Sequence, residues 1–334
     1  MAGAIDGGID IHLEDLPMAQ QERRRFIQAS SAALALAATG TLTRQSFGAG
    51  SLPDGDRASS VPKGENMQLG LVTYLWGKDW DLPTLLKNCE TSNVLGLELR
   101  TQHAHGVEPS LSKRERNEVR KRFADSPVTL LGYGSNAQFH ENDPQKLKTN
   151  IELAKSYIEL IHDCGGTGVK VKPNGFVKDV PQEKTIAQIG KALAEVADYG
   201  QNFGQQIRVE VHGKGTSLLP HIAAMMKVAD HPNATVCWNC NSQDLEGDGL
   251  KANFKMVKKY FGDTVHVREM NVGTYPYQQL FDLFVEMDYA GWILLECRTK
   301  PKDRIAALKE QREIFSKLIA QAQKTNGGQE AKRT

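Results

Sequence analysis

From Met67 onward, short apolar runs rich in β-branched residues alternate with longer stretches in which apolar residues return every three or four positions. The first pattern predicts strands and the second predicts amphipathic helices. Eight strands are expected, at 69–75, 95–100, 128–133, 168–172, 207–212, 235–239, 265–268 and 292–297. Neighbouring starts lie about 25 to 40 residues apart, the length of one strand-plus-helix unit. The intervening helices carry clear start and stop signals. Asp143-Pro144 is a cap and first-turn pair, Leu147, Ile151, Ala154, Ile158 and Ile161 then line one face, and Gly165-Gly166 ends the helix. Ile186, Ile189, Leu193 and Val196 form the next stripe. Asp303 opens the last helix, whose face is Ile305, Leu308, Ile314 and Leu318.

Eight βα units over about 260 residues imply an α/β protein of the (β/α)8 TIM barrel class. The rival, a doubly wound open sheet, usually places a Gly-rich phosphate loop after its first strand. Here that segment is Tyr74-Leu-Trp-Gly-Lys-Asp79, with no G-x-G-x-x-G. Gly132-Tyr-Gly-Ser135 and Gly213-Lys-Gly-Thr216 are misspaced for a nucleotide loop and are expected to be turns. The barrel is assigned to residues 66–325, followed by a polar tail at 326–334.

The strands end on polar residues, and in a barrel those ends build the active site. Glu98 and Arg100 close strand 2, Lys170 and Lys172 strand 4, and Glu210 and His212 strand 5. Asn239 and Asn241 follow on strand 6, His266 and Arg268 on strand 7, Glu296 and Arg298 on strand 8. Alternation along a strand puts the two members of each pair on one face. Burying so many polar groups is unfavourable unless they serve one another or a ligand. Glu210, Asn239, His266 and Glu296 sit on four consecutive strands and can converge on one ion. Oxygen-rich ligation with one imidazole suits Mn²⁺, Mg²⁺ or Co²⁺ ahead of Zn²⁺. Arg268, Arg298, Lys170 and Lys172 add positive charge for substrate oxyanions. Glu98 and Arg100 are candidates for orienting a substrate, and His103 and His105 occupy the loop after strand 2, which faces the same end.

The order Glu210, Asn239, His266, Glu296 resembles the metal shell of the xylose isomerase-like TIM barrels, the sugar phosphate isomerase and epimerase family. The resemblance covers roughly residues 67–320 and rests on Ile207–Gly213 (IRVEVHG), His266-x-x-Glu269 and Gly291-Trp-Ile-Leu-Leu-Glu296. Gly168-Val-Lys-Val-Lys-Pro173 is similar to segments of exported bacterial members. One position departs from the family, which usually carries an aspartate where this chain has Asn239, so a neutral amide would weaken the ion's hold. The resemblance implies a metal-dependent sugar isomerase or epimerase in which Glu210 and Glu296 act as an acid–base pair beside a substrate carbonyl, with His212 orienting Glu210 and Asn241 near the substrate. A lyase or hydrolase of 3-keto-glycosides would use the same pair, and a non-catalytic sugar-binding barrel is the reading from another class.

The resemblance implies a small-molecule carbohydrate substrate, and composition argues against other partners. A net charge of +1 provides no basic footprint for nucleic acid, which argues against an abasic-site endonuclease on this fold. The five cysteines are odd in number and scattered, and Cys237-Trp-Asn-Cys240 has redox or zinc spacing but would diverge along a strand. Arg23-Arg-Arg-Phe-Ile ahead of the Ala-rich 29–38 segment resembles a twin-arginine export signal. Residues 1–50 are therefore expected to be an export segment and 51–65 a linker, with a periplasmic or extracytoplasmic location. No stable membrane insertion is expected after processing, and self-association into a homo-oligomer stays open.

Overall fold

The computed structural model describes residues 61–330. The expected export segment and the linker up to residue 60 lie outside the described residues. Eight parallel strands alternate with eight helices. The strands are β1 (Gln68–Val72), β2 (Gly96–Arg100), β3 (Thr129–Gln138), β4 (Gly168–Lys172), β5 (Gln206–Glu210), β6 (Ala234–Cys237), β7 (Thr264–Val267) and β8 (Trp292–Leu295). The helices are α1 (Leu82–Ser92), α2 (Lys113–Ala124), α3 (Pro144–Cys164), α4 (Gln182–Gln201), α5 (Leu219–Ala229), α6 (Gly249–Val257), α7 (Tyr277–Glu286) and α8 (Arg304–Glu330). The strand order β6-β5-β4-β3-β2-β1-β8-β7 leaves a single seam. There the His266 amide donates to the Trp238 carbonyl at 2.7 Å, which brings β7 against the end of β6. The result is the nearly closed TIM barrel that the alternation predicts.

Local signals explain the helices. Asp143 accepts from the Gln145 amide at 2.8 Å with Pro144 in the first turn, and Gly165 closes α3 at φ 89°. Asp303 caps α8, accepting from the Ile305 and Ala306 amides at 2.9 Å each. The faces expected on α3 and α4 are the packed ones: Ile151, Ala154, Ile158 and Ile161, then Ile189, Leu193 and Val196, are all buried. Their burial between sheet and helices provides the main apolar driving force. Helix α8 continues to Glu330, through the first part of the expected polar tail. Among the described residues, no helix is long and apolar enough to cross a membrane.

Two expectations about the strands need correcting. First, β1, β5, β6, β7 and β8 stop before the sequence pattern does. β5 ends on Glu210 and β6 on Cys237, so His212, Asn239 and Asn241 stand beyond the ladder, where strict alternation no longer sets their faces. Second, Gly132 and Gly134 do not form a turn; they lie inside β3. A Cβ on Gly134 would come within 2.9 Å of Glu98 Oε1, 3.0 Å of Arg100 Cγ and 3.3 Å of Lys170 Cε. The missing side chain makes room for three charged ones. Gly168 does the same for Arg208, whose guanidinium carbon would lie 2.6 Å from an added Cβ. Arg208 is fully buried and donates to the Leu131 carbonyl and the Thr167 hydroxyl, each at 2.9 Å, so it braces neighbouring strands.

Candidate active site

Glu210, His266 and Glu296 converge at the C-terminal end of the barrel. Each offers one ligand atom within 4.8 Å of the others, and all three are buried, which makes this a candidate metal site. His266 is held by Glu98: its Nε2 lies 3.3 Å from both carboxylate oxygens. Burial works against charge on His266, but the adjacent Cys237 and Glu98 more than offset it and hold the imidazole well above its usual range. For Glu98 burial likewise opposes ionisation, and His266 keeps its carboxyl below the ordinary value. Glu98 therefore orients His266. His266 Nδ1 is buried with no hydrogen-bond partner among the described residues. A carboxylate behind one ring nitrogen with the other left free is how metal-binding histidines are commonly set.

The rest of the donor set suits a divalent ion poorly. Both oxygens of Glu210 are already used. Oε1 accepts from Asn239 Nδ2 at 2.8 Å and Oε2 from Lys170 Nζ at 2.5 Å. A carboxylate only accepts, so the amide nitrogen of Asn239 must face it. Asn239, expected from sequence to be the fourth ligand, is instead placed as a donor to Glu210. Lys170 has a fully buried side chain. Burial opposes its charge, yet Glu210 beside it keeps the ammonium above its usual range, and Lys170 in turn keeps the buried Glu210 carboxyl well below the normal carboxylate range. Glu296 meets Arg100 at 3.4 Å and Arg298 at 3.9 Å. Glu210 and Glu296 are thus met by three cations from the chain itself, and Glu98 by His266.

The remaining residues separate into two groups. Toward solvent, His212, Asn241, Arg268 and Arg298 line a cavity of about 540 Å³ together with Lys214 and Gln243. His212 Nδ1, Arg268 Nε and Arg100 Nε are buried without hydrogen-bond partners among the described residues. Burial and the neighbouring Lys170 bring the Lys172 ammonium down to about 8. Asn241 donates to the Val211 carbonyl at 2.6 Å and lies 3.4 Å from the Arg268 guanidinium, so it ties the β6 loop to β5. The other group supports the mouth of the barrel. His105 uses both ring nitrogens on backbone, Nε2 to the Arg100 carbonyl at 2.8 Å and Nδ1 accepting from the Val107 amide at 3.0 Å. Neither is left for a substrate. His103 Nδ1 lies 3.0 Å from the Thr73 hydroxyl, and burial with His105 and Arg100 nearby brings the imidazole down to about 4, so it is neutral at ordinary pH.

Two supports have no role assigned from the sequence, although Glu269 belongs to the His266-x-x-Glu269 motif. Glu108 accepts from Thr101, Gln102, Tyr133 and Tyr157 and holds the loop that carries both histidines. Glu269 accepts from the Arg298 amide at 2.9 Å and from the Thr299 amide and hydroxyl at 2.6 Å, which sets the course of the β8 loop. The glycines of β3 were the available hint that large inward groups lie opposite. All five cysteines are free and buried. Cys240 follows the end of β6 at φ 38°, so the departure of the chain from the strand, not alternation along it, sets its place relative to Cys237.

A carboxylate, imidazole and cation cluster at the C-terminal mouth of a (β/α)8 barrel defines a class of site rather than one reaction. The chain belongs to the xylose isomerase-like TIM barrel family, whose model matches residues 86–318. Among solved structures it is similar to an L-ribulose 3-epimerase, at TM-score 0.68 and 15% identity, over 78% of this chain and 97% of that one. It is similar to the 3-keto-D-glucoside 4-epimerase of E. coli at TM-score 0.64 and 12% identity, over 75% and 99%. The IOLI protein with a bound zinc atom matches at TM-score 0.64 and 14% identity, over 77% and 99%. At these identities the likeness establishes the fold. No curated protein matches the chain by sequence.

Proposed function

We propose that this protein is a sugar isomerase or epimerase that removes a proton from the carbon beside a carbonyl. The observation that carries this reading is the pair of buried carboxylates, Glu210 and Glu296, brought within 4.8 Å at ligand-atom level and ringed by fixed cations. Oxygens that close leave no room for a carbon to lie in line between them with a hydrogen-bond-length approach of about 3 Å on each side. The substrate therefore lies across the solvent-facing side of both. Glu296 is the freer carboxylate, with ionic contacts no shorter than 3.4 Å. It is assigned the first proton abstraction. Glu296, protonated by that step, returns the proton to the neighbouring carbon, while Glu210, held ionised by Lys170 and Asn239, keeps those two donors in place beside the substrate. Negative charge that develops on the carbonyl oxygen is met by Lys170 and Arg100, which are positioned before the reaction begins. The family resemblance would add a divalent ion, held by Glu210, His266 and Glu296, as a Lewis acid for that carbonyl. The arrangement of Lys170 and Asn239 makes the chain's own cations the better-supported source of that charge.

A second reading is elimination from a 3-keto-glycoside. It is supported by the cavity of about 540 Å³ beyond the carboxylates, which has space for a leaving group. It is also supported by the structural likeness to an enzyme of 3-keto-D-glucoside. Incubation with ketoses and 3-keto-glycosides in D₂O separates the readings. Deuterium at the carbon next to the carbonyl is the expected result for isomerisation or epimerisation, and release of the aglycone is expected for elimination. Tight sugar binding with neither outcome across a broad panel would replace both with a sugar-binding role.

We also propose export by the twin-arginine route, supported by Arg23, Arg24 and Arg25 ahead of the Ala-rich segment. Replacing all three with Lys is expected to leave full-length precursor in the cytoplasm on fractionation. Undiminished export would remove the proposal.

A further inference from the structure

We propose that the buried ammonium of Lys170, backed by the amide of Asn239, takes the place of a divalent ion at Glu210, so that this barrel runs its carbonyl chemistry on a fixed lysine charge. The assignment of that charge to carbonyl chemistry rests on the reaction proposed above; the exclusion of the ion does not.

Three observations carry the inference. The first is saturation of Glu210. One carboxylate oxygen is 2.5 Å from Lys170 Nζ and the other 2.8 Å from Asn239 Nδ2. An ion would have to displace one of them. The second is that Lys170 has nowhere to go. Its side chain is fully buried, and its stem runs past Gly134, where an added Cβ would stand 3.3 Å from Lys170 Cε. The backbone is built to pass this side chain, which argues against a surface lysine folded inward by chance. The third is charge. Glu210 is paired with Lys170, Glu296 with Arg100 and Arg298, and Glu98 with His266, so each carboxylate already has a partner from the chain. Two more positive charges beside a buried ammonium meet strong repulsion at low dielectric. The position that could offset them with a carboxylate holds the neutral Asn239, which contributes no charge to an ion.

The unpartnered Nδ1 of His266 points the other way, and it makes the test a sharp one. The full chain, purified without chelator, is analysed for Mn, Zn, Co and Mg by mass spectrometry and then titrated with Mn²⁺ alone, followed by electron paramagnetic resonance. The wild type is expected to carry substoichiometric metal and to bind Mn²⁺ only weakly. The double variant Lys170→Met with Asn239→Asp removes a like charge and adds an anionic ligand. It is expected to gain one Mn²⁺ site with affinity raised by about a hundredfold or more. One equivalent of tightly held metal in the wild type, lost in Glu296→Gln, overturns the proposal. Should the double variant fail to fold, the wild-type metal content and titration decide alone. Neither measurement uses a substrate. An inactive protein that also lacks metal would refute the proposed reaction and leave the lysine-for-ion substitution standing.

Discussion

Replacing Glu296 with Gln is expected to lower turnover of a ketose or 3-keto-glycoside by about 10²- to 10⁴-fold, the usual contribution of a positioned general base. The amide keeps the shape of the side chain but cannot take a proton. The backbone amide of Glu296 still donates to the Val267 carbonyl at 2.7 Å, so the β8 end stays in place. Its side-chain ion contacts, at 3.4 and 3.9 Å, are too long to dominate folding. The thermal midpoint should therefore change little while kcat collapses and KM moves far less. Arg298→Ala is the contrast. That side chain is 46% exposed and borders the cavity, so its loss should raise KM more than it lowers kcat. Steady-state kinetics on the two variants would check the split. Comparable kcat for Glu296→Gln and wild type would remove Glu296 from the chemistry.

Lys170→Met is expected to destabilise the fold by about 3–5 kcal/mol, the range for breaking one side of a buried ion pair. The two side chains are 0% and 2% exposed, so Glu210 would be left ionised, buried and without its cation. Asn239 would remain as its one hydrogen-bond donor. The double variant Lys170→Met with Glu210→Gln removes the stranded charge as well and should recover most of the loss, because burying two matched neutral groups is far less unfavourable than burying one unpaired ion. Urea unfolding of the wild type, both single variants and the double variant closes this cycle. An unfolding midpoint for Lys170→Met equal to that of wild type would mean that the pair contributes nothing to stability.

The alternation of strand and helix patterns was sufficient for the barrel because each βα unit is locally determined. Asp143-Pro144 and Gly165 start and stop α3 through bonds to their own neighbours, and the apolar stripe of α3 must face the sheet wherever that sheet lies. The same locality made Glu210, His266 and Glu296 legible as a cluster, since residues at the ends of strands in a closed barrel meet at one mouth whatever the loops do.

Partnerships across the barrel were not legible in this way. Lys170 and Glu210 are 40 residues apart, and Glu98 and His266 are 168 apart. Nothing local distinguishes a lysine that will reach solvent from one that will be buried against a carboxylate one strand-plus-helix unit further along the chain. Asn239 could be named as a site residue, but not which way its amide would turn. That choice follows from Glu210 being an acceptor only, a fact about its neighbour in space. Likewise His103 and His105 read alike as loop histidines. Only the folded loop shows that both nitrogens of His105 serve the backbone while His103 meets Thr73. By itself the sequence determined the barrel and the residue types at its mouth, because periodicity, caps and strand-end chemistry act over a few residues. Tertiary structure alone decided which charges pair, which glycine makes room for them and where the free donor atoms point, because pairing depends on strand register and on the space left between strands.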